Sequence, residues 1–189
     1  MVVVSEMSRH RCRSVETPLR AVKFQCHNGH VTDDTRAFLR HTLATLAYRG
    51  GKSVRGAPPE FAAFKASETS RTPAQILAHI GDLMEWMLSL AKGAQAWHNA
   101  EPLAWDDEVA RFHRCLGDVD AYLASAEPLH ETPEKLFQGP IADALNHVGQ
   151  IAMLRRISGA PMKGENYHRA EIVAGRVGAE QAAPRREFD

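Results

Sequence analysis

Residues 139–158, GPIADALNHVGQIAMLRRIS, decide the fold, because they join a strong helical pattern to a pair of side chains able to hold a ligand. Gly139 can act as the N-cap and Pro140 suits the first helical position, where its missing N–H costs nothing. Apolar residues recur at Ile141, Ala144, Leu145, Val148, Ile151 and Ala152, close to a 3.6-residue period, until Gly159 and Pro161 close the helix. Asp143 and His147 are four apart, so they stand one above the other, with Ile151 and Leu154 continuing that side. The polar pair therefore borders apolar surface.

Working outward, three more segments carry the same period. Asp33 and Asp34 suit a helix N-terminus, and Phe38, Leu39, Leu43, Leu46 and Ala47 form one face that Gly50-Gly51 would end. Thr72-Pro73-Ala74-Gln75 is a capping box with proline at the first helical position. Ile76, Ile80, Leu83, Met84, Met87 and Ala91 follow as a buried face, and Gly93 stops it. Asp106, Asp107 and Glu108 open a third helix, with Val109, Phe112, Leu116, Val119 and Leu123 as its seam. Gly117 within it costs about 1 kcal/mol relative to alanine. The segment 52–71 is a loop, but Phe61 and Phe64 predict that it packs; Thr132-Pro133-Glu134 predicts a short separate turn. Four amphipathic helices without strand-like alternation predict an all-α protein, a four-helix bundle, over residues 32–178. Residues 1–31 show no period and read as a flexible extension; residues 179–189 read as a polar tail, loosely held.

Of the 189 residues, 44% are hydrophobic and 24% charged, ordinary globular composition, and the formal net charge is zero. That balance argues against nucleic acid or an anionic membrane as partner. No apolar run approaches the ~18 residues of a membrane span, and no signal-peptide core is evident. Three widely spaced cysteines make no disulfide framework, so the expected compartment is the cytoplasm. Zinc's preferred donors do occur in Cys12, Cys26, His27 and His30, but their spacing fits no standard module. Cys115 is flanked by apolar positions and reads as a packing residue. Trp86 and Met87 read as core or rim. Neither Glu85 nor Tyr167 is placed to serve as a general base.

His79 lies at the edge of the second helix's buried face. In a bundle it can converge with Asp143 and His147, giving two imidazoles and a carboxylate around a divalent ion with positions left for water or substrate. The plainer reading is a half-buried histidine satisfied by a carbonyl, and a surface ion pair worth a few tenths of a kcal/mol.

The stretches ILAHIGDLMEW, DALNHVGQI and GENYHRAEIVAGRVG resemble the DinB-like family of metalloenzymes, across roughly residues 33–178. The resemblance implies an up-down-down-up bundle, commonly a homodimer, with a divalent metal on three histidines. One comes from the second helix, at His79; two come from the last, the second of them at His147 before Gly149-Gln150. The first of that pair falls at Asp143, a departure that keeps three donors but favours harder ions. Zinc, nickel, iron and manganese all remain open. The resemblance also implies a small-molecule substrate, with a low-molecular-weight thiol such as bacillithiol or mycothiol as co-substrate, and transferase or hydrolase chemistry. The alternative is a non-catalytic, dimeric helical bundle that binds a metal or a small molecule.

Overall fold

The computed structural model describes residues 33–188. The extension at 1–31 and the zinc donors considered there lie outside the described residues. Helix α1 spans Asp33–Val54, α2 Pro73–Ala91, α3 Trp105–Ala124, α4 Pro133–Leu136 and α5 Ala142–Ile157. A π-helical turn, Phe137–Ile141, joins α4 to α5, so these form one continuous rod and the bundle has four helices as expected.

Both α1 and α2 pack on α3 and α5, which gives the cyclic order α1–α3–α2–α5. Polar contacts fix the directions. At the N-terminal end of α1, Arg36 donates to the carbonyls of Leu123 and Ser125, so α1 runs antiparallel to α3. The Tyr122 hydroxyl of α3 donates to the Ala91 carbonyl that ends α2, so α2 and α3 are parallel. Arg155 near the end of α5 donates to the carbonyls of Ser53, Arg55 and Gly56, so α1 and α5 are parallel too. The topology is up-down-down-up.

Each rod buries the face its period predicts. Leu39, Leu43, Leu46, Ile80, Met84, Met87, Phe112, Leu116, Val119, Ile141 and Ile151 are all essentially inaccessible to solvent. Phe38 is the exception: it is 60% exposed, because the adjacent Leu39 takes the inward position. The Thr72 capping box forms with both reciprocal hydrogen bonds, at 3.2 and 2.9 Å. Phe61 is buried and meets Trp105 edge-on, so the 52–71 connection does pack.

Three local expectations need correction. Gly50-Gly51 does not end α1, which continues to Val54; Gly50 instead makes room for the buried Phe112 ring, whose Cζ would lie 2.5 Å from an added Cβ. The chain turns out at Gly56, where φ is +63°, a value glycine adopts without strain. Nor does Gly139 cap the last rod, which begins at Pro133 with the Thr132 hydroxyl accepting from the Lys135 N–H. Pro140 has no N–H for an ordinary helical hydrogen bond, and the π turn absorbs it. The C-terminal tail is also better held than its polarity suggests. Glu187–Phe188 (β2) pairs antiparallel with Gly164–Glu165 (β1), and Lys52 bridges Glu165 and Glu187 at 2.7 Å each. Among the described residues no helix is long and apolar enough to cross a membrane.

The two mid-helix glycines should therefore respond oppositely to alanine. Gly117 has nothing within 4 Å of an added Cβ, so Gly117→Ala is expected to stabilise by up to about 1 kcal/mol in urea denaturation. Gly50→Ala, forced against Phe112, is expected to lose roughly 2 kcal/mol despite the same gain in helix propensity. Equal shifts in the two variants would contradict the α1–α3 packing.

Candidate metal site

Parallel neighbours α2 and α3 force the chain to return along the bundle between them. Helix α2 has 19 residues, about 28 Å at 1.5 Å per residue. Residues 92–104 cover that distance as an extended strap, at about 3.3 Å per residue. Side chains on the helices pin it at intervals. Ser89 Oγ donates to the Ala96 carbonyl and accepts from its N–H, Asp82 accepts from the Ala100 N–H at 3.1 Å, and Glu108 accepts from the Leu103 N–H at 3.0 Å.

Beneath the strap lies a buried ionic cluster centred on Arg111. Its guanidinium reaches Asp82 at 2.6 Å, Glu85 at 3.0 Å and Glu108 at 3.3 Å, and donates to the Ala78 carbonyl at 3.1 Å. Burial alone would lower the arginine pKa, but hydrogen bonds to Asp82 and Glu85 outweigh it and hold the group charged. Gly81 makes the approach possible, since a Cβ there would sit 2.8 Å from Arg111 Nη1. Glu108 is thus no surface helix-start charge; it is fully buried as a ligand of Arg111 and of the strap. Glu85 is committed to the same cluster.

One turn before Asp82, His79 projects from α2 toward α5. Its Nε2 lies 3.6 Å from Asp143 Oδ2, and His147 Nε2 lies 3.5 Å from Asp143 Oδ1. One ligand atom from each of the three residues falls within 4.8 Å of the others, so the group can hold a metal ion. Both nitrogen–oxygen separations exceed a good hydrogen bond, leaving the carboxylate astride two imidazoles without closing on either. The side chains of His79 and His147 are 21% and 12% exposed, that of Asp143 47%. The histidines form the closed side and the carboxylate faces outward.

The protonation pattern suits metal binding. His147 Nδ1 lies 2.9 Å from the Gln150 amide oxygen, which can only accept. Nδ1 is therefore the donor in that contact, and the ring is held with Nε2 toward Asp143. Burial, helped by the nearby His147 and Arg71, lowers the His79 pKa from its ordinary 6.5, against the opposing pull of Asp143. Neutral imidazole is the form that ligates.

Aromatic rings wall the site. His79 and His147 are perpendicular at 4.7 Å between centroids; Trp97 of the strap meets His79 and Trp86 edge-on, at 5.7 Å each. The Trp86 ring also packs against Gly139 of the π turn. Two open cavities flank the triad. A polar one of about 250 Å³ is lined by Arg71, Gln75, His79, Asp82, Asn99 and Glu101 among others. An apolar groove of about 520 Å³ runs beside Ile76, Gly149, Gln150, Met153 and Leu154.

Other candidates play no part here. Cys115 is buried and its thiol pKa is pushed up to about 12, chiefly by desolvation, so it packs and does not react. Tyr167 meets Tyr48 edge-on and lies beneath Arg49, both on α1. The sequence reading gave no role to Gln150, Arg71 or Trp97. Only Gln150 was signalled, by lying three residues after His147, one helical turn on.

Gln150→Leu should leave the bundle folded, since Gln150 is exposed, while freeing the His147 ring. Zinc affinity, read by competition with a chromophoric chelator, is expected to weaken roughly 10- to 100-fold. An unchanged affinity would mean that Gln150 does not orient His147. No family model, curated protein or solved structure matches this chain.

Proposed function

We propose that this protein is a divalent-metal-dependent enzyme of the DinB-like type, with the ion held by His79, Asp143 and His147. The carrying observation is the meeting of three donors from two helices, one of which, His79, lines an open polar cavity. A purely structural zinc site usually closes with four protein ligands, whereas this set offers three and leaves room for a small molecule. Two imidazoles and one carboxylate suit zinc and also iron(II), nickel or manganese. When bound, such an ion supplies Lewis acidity and lowers the pKa of a coordinated thiol or water, the chemistry of thiol-dependent transfer or hydrolysis.

The chain's own residues have separable tasks in this reading. His79 and His147 present their Nε2 atoms, the latter ring held by Gln150. Asp143 offsets part of the ion's charge from the exposed side. Trp97 covers one flank of His79, and Trp86 packs against Trp97 in turn. The cavities receive the small-molecule substrate, which the reading takes to be joined by a low-molecular-weight thiol.

Purified protein loaded at pH 7.5 and desalted is expected to carry one divalent ion per chain. Alanine at His79, Asp143 or His147 should cut that content at least about tenfold while the far-ultraviolet helical signal stays, because the bundle rests on its apolar seams. Protons compete for the imidazole nitrogens, so lowering the pH can only release metal. Because His79 is held below its ordinary 6.5, release should come on the acid side of the ordinary histidine range. Asp143→His should retain metal and shift preference toward zinc and nickel. Absence of stoichiometric metal in the wild type would overturn the metalloenzyme reading and leave a non-catalytic small-molecule-binding bundle.

A further inference from the structure

The arginines packed into the bundle are all committed. Arg40 pairs with Asp120 through two hydrogen bonds, Arg111 holds the α2–α3 cluster, and Arg36 and Arg155 donate to carbonyls at helix ends. Arg71 differs from them. It precedes the Thr72 cap of α2, is exposed, and has no hydrogen bond or ion pair among the described residues. Its own helix start is already satisfied by the Thr72–Gln75 box, so the guanidinium is not needed for capping. Yet it lines both cavities, the polar one that contains His79 and the apolar groove that contains Gln150.

From this placement we infer that the site takes an amphipathic organic monocarboxylate, its carboxylate held by Arg71 and its apolar body lying in the groove beside Ile76, Met153 and Leu154. The inference deepens the metal-site reading by naming the substrate class. Guanidinium presents a planar pair of N–H donors that matches a carboxylate's two oxygens. The groove, at about 520 Å³, lies in the range of small-ligand pockets and is mainly apolar where it meets α5. Met153 is 59% exposed there, an apolar side chain on a rim that a ligand would cover. Glu101 lines the polar cavity and opposes a second negative charge, while Asp82 is already neutralised by Arg111. A singly charged acid therefore fits better than a diacid. Held this way, the ligand lies beside Gln150, the partner of His147.

The test compares 4-phenylbutyrate with its uncharged analogue 4-phenylbutanol, by isothermal titration at pH 7.5 with full-length protein, both chelator-treated and zinc-loaded. The acid should bind the wild type at least about tenfold more tightly than the alcohol, in both preparations. Arg71→Gln should abolish that preference while leaving zinc content unchanged. Met153→Gln should weaken acid and alcohol alike. Equal binding of the two probes, or an acid preference that survives Arg71→Gln, would overturn the inference. A preference seen only with zinc and untouched by Arg71→Gln would assign the carboxylate to the ion instead, and also overturns it. Zinc uptake is scored separately, so failure of the metal site and failure of the Arg71 subsite give different results.

Discussion

The buried guanidinium of Arg111 is the constraint around which the functional half of this bundle is arranged. It joins α3 to α2 through Asp82 and Glu85, and through Glu108 and Asp82 it also holds the strap that must return along the bundle. Two parallel helices cannot be joined by a tight turn, so the long connection is a cost of the topology. Here the cost becomes a wall of the site. Removing the arginine would leave two largely buried carboxylates uncompensated, a loss of roughly 3–5 kcal/mol in comparable cases. Asp82 and Glu108 are also the two carboxylates that hold the strap through the Ala100 and Leu103 N–H groups.

The metal donors depend on this frame from one side and on the last rod from the other. His79 lies three residues before Asp82, so the cluster that fixes α2 against α3 also fixes the direction of the imidazole. Asp143 and His147 sit just after the π turn, which accommodates Pro140 and seats Gly139 on the Trp86 ring. An interrupted helix next to a ligand pair is a recurring arrangement, because the extra residue re-aims the side chains that follow it. The Trp86 indole N–H is buried without a partner among the described residues, an unusual feature for a ring so close to the site.

Much of this was legible from periodicity. The buried faces of α2 and α3, the capping box at Thr72, the packed loop at Phe61 and the Asp143–His147 pair follow from spacing and turn signals, whereas the addition of His79 needed α2 and α5 to be neighbours, as a bundle allows and the family resemblance implies. What failed to show was glycine and charge used for tertiary purposes. Gly50 looked like a helix stop because local propensity carries no record of the Phe112 ring that needs its space. Gly139-Pro140 looked like a start because a π turn has no sequence signature separate from a cap. Glu108 looked like a solvated N-terminal charge, and Arg111 drew no attention, because a buried ion pair between helices depends on which helices become neighbours. Lys52 and Glu187 escaped for the same reason, lying 135 positions apart in the chain.

The account's central claim is that His79, Asp143 and His147 bind one ion together, and the coordination sphere itself tests it most directly. X-ray absorption on protein loaded with one equivalent of zinc is predicted to give a shell of nitrogen and oxygen at about 2.0–2.1 Å, with outer scattering from two imidazoles and no sulfur. A sulfur shell near 2.3 Å, or the absence of imidazole scattering, would contradict it.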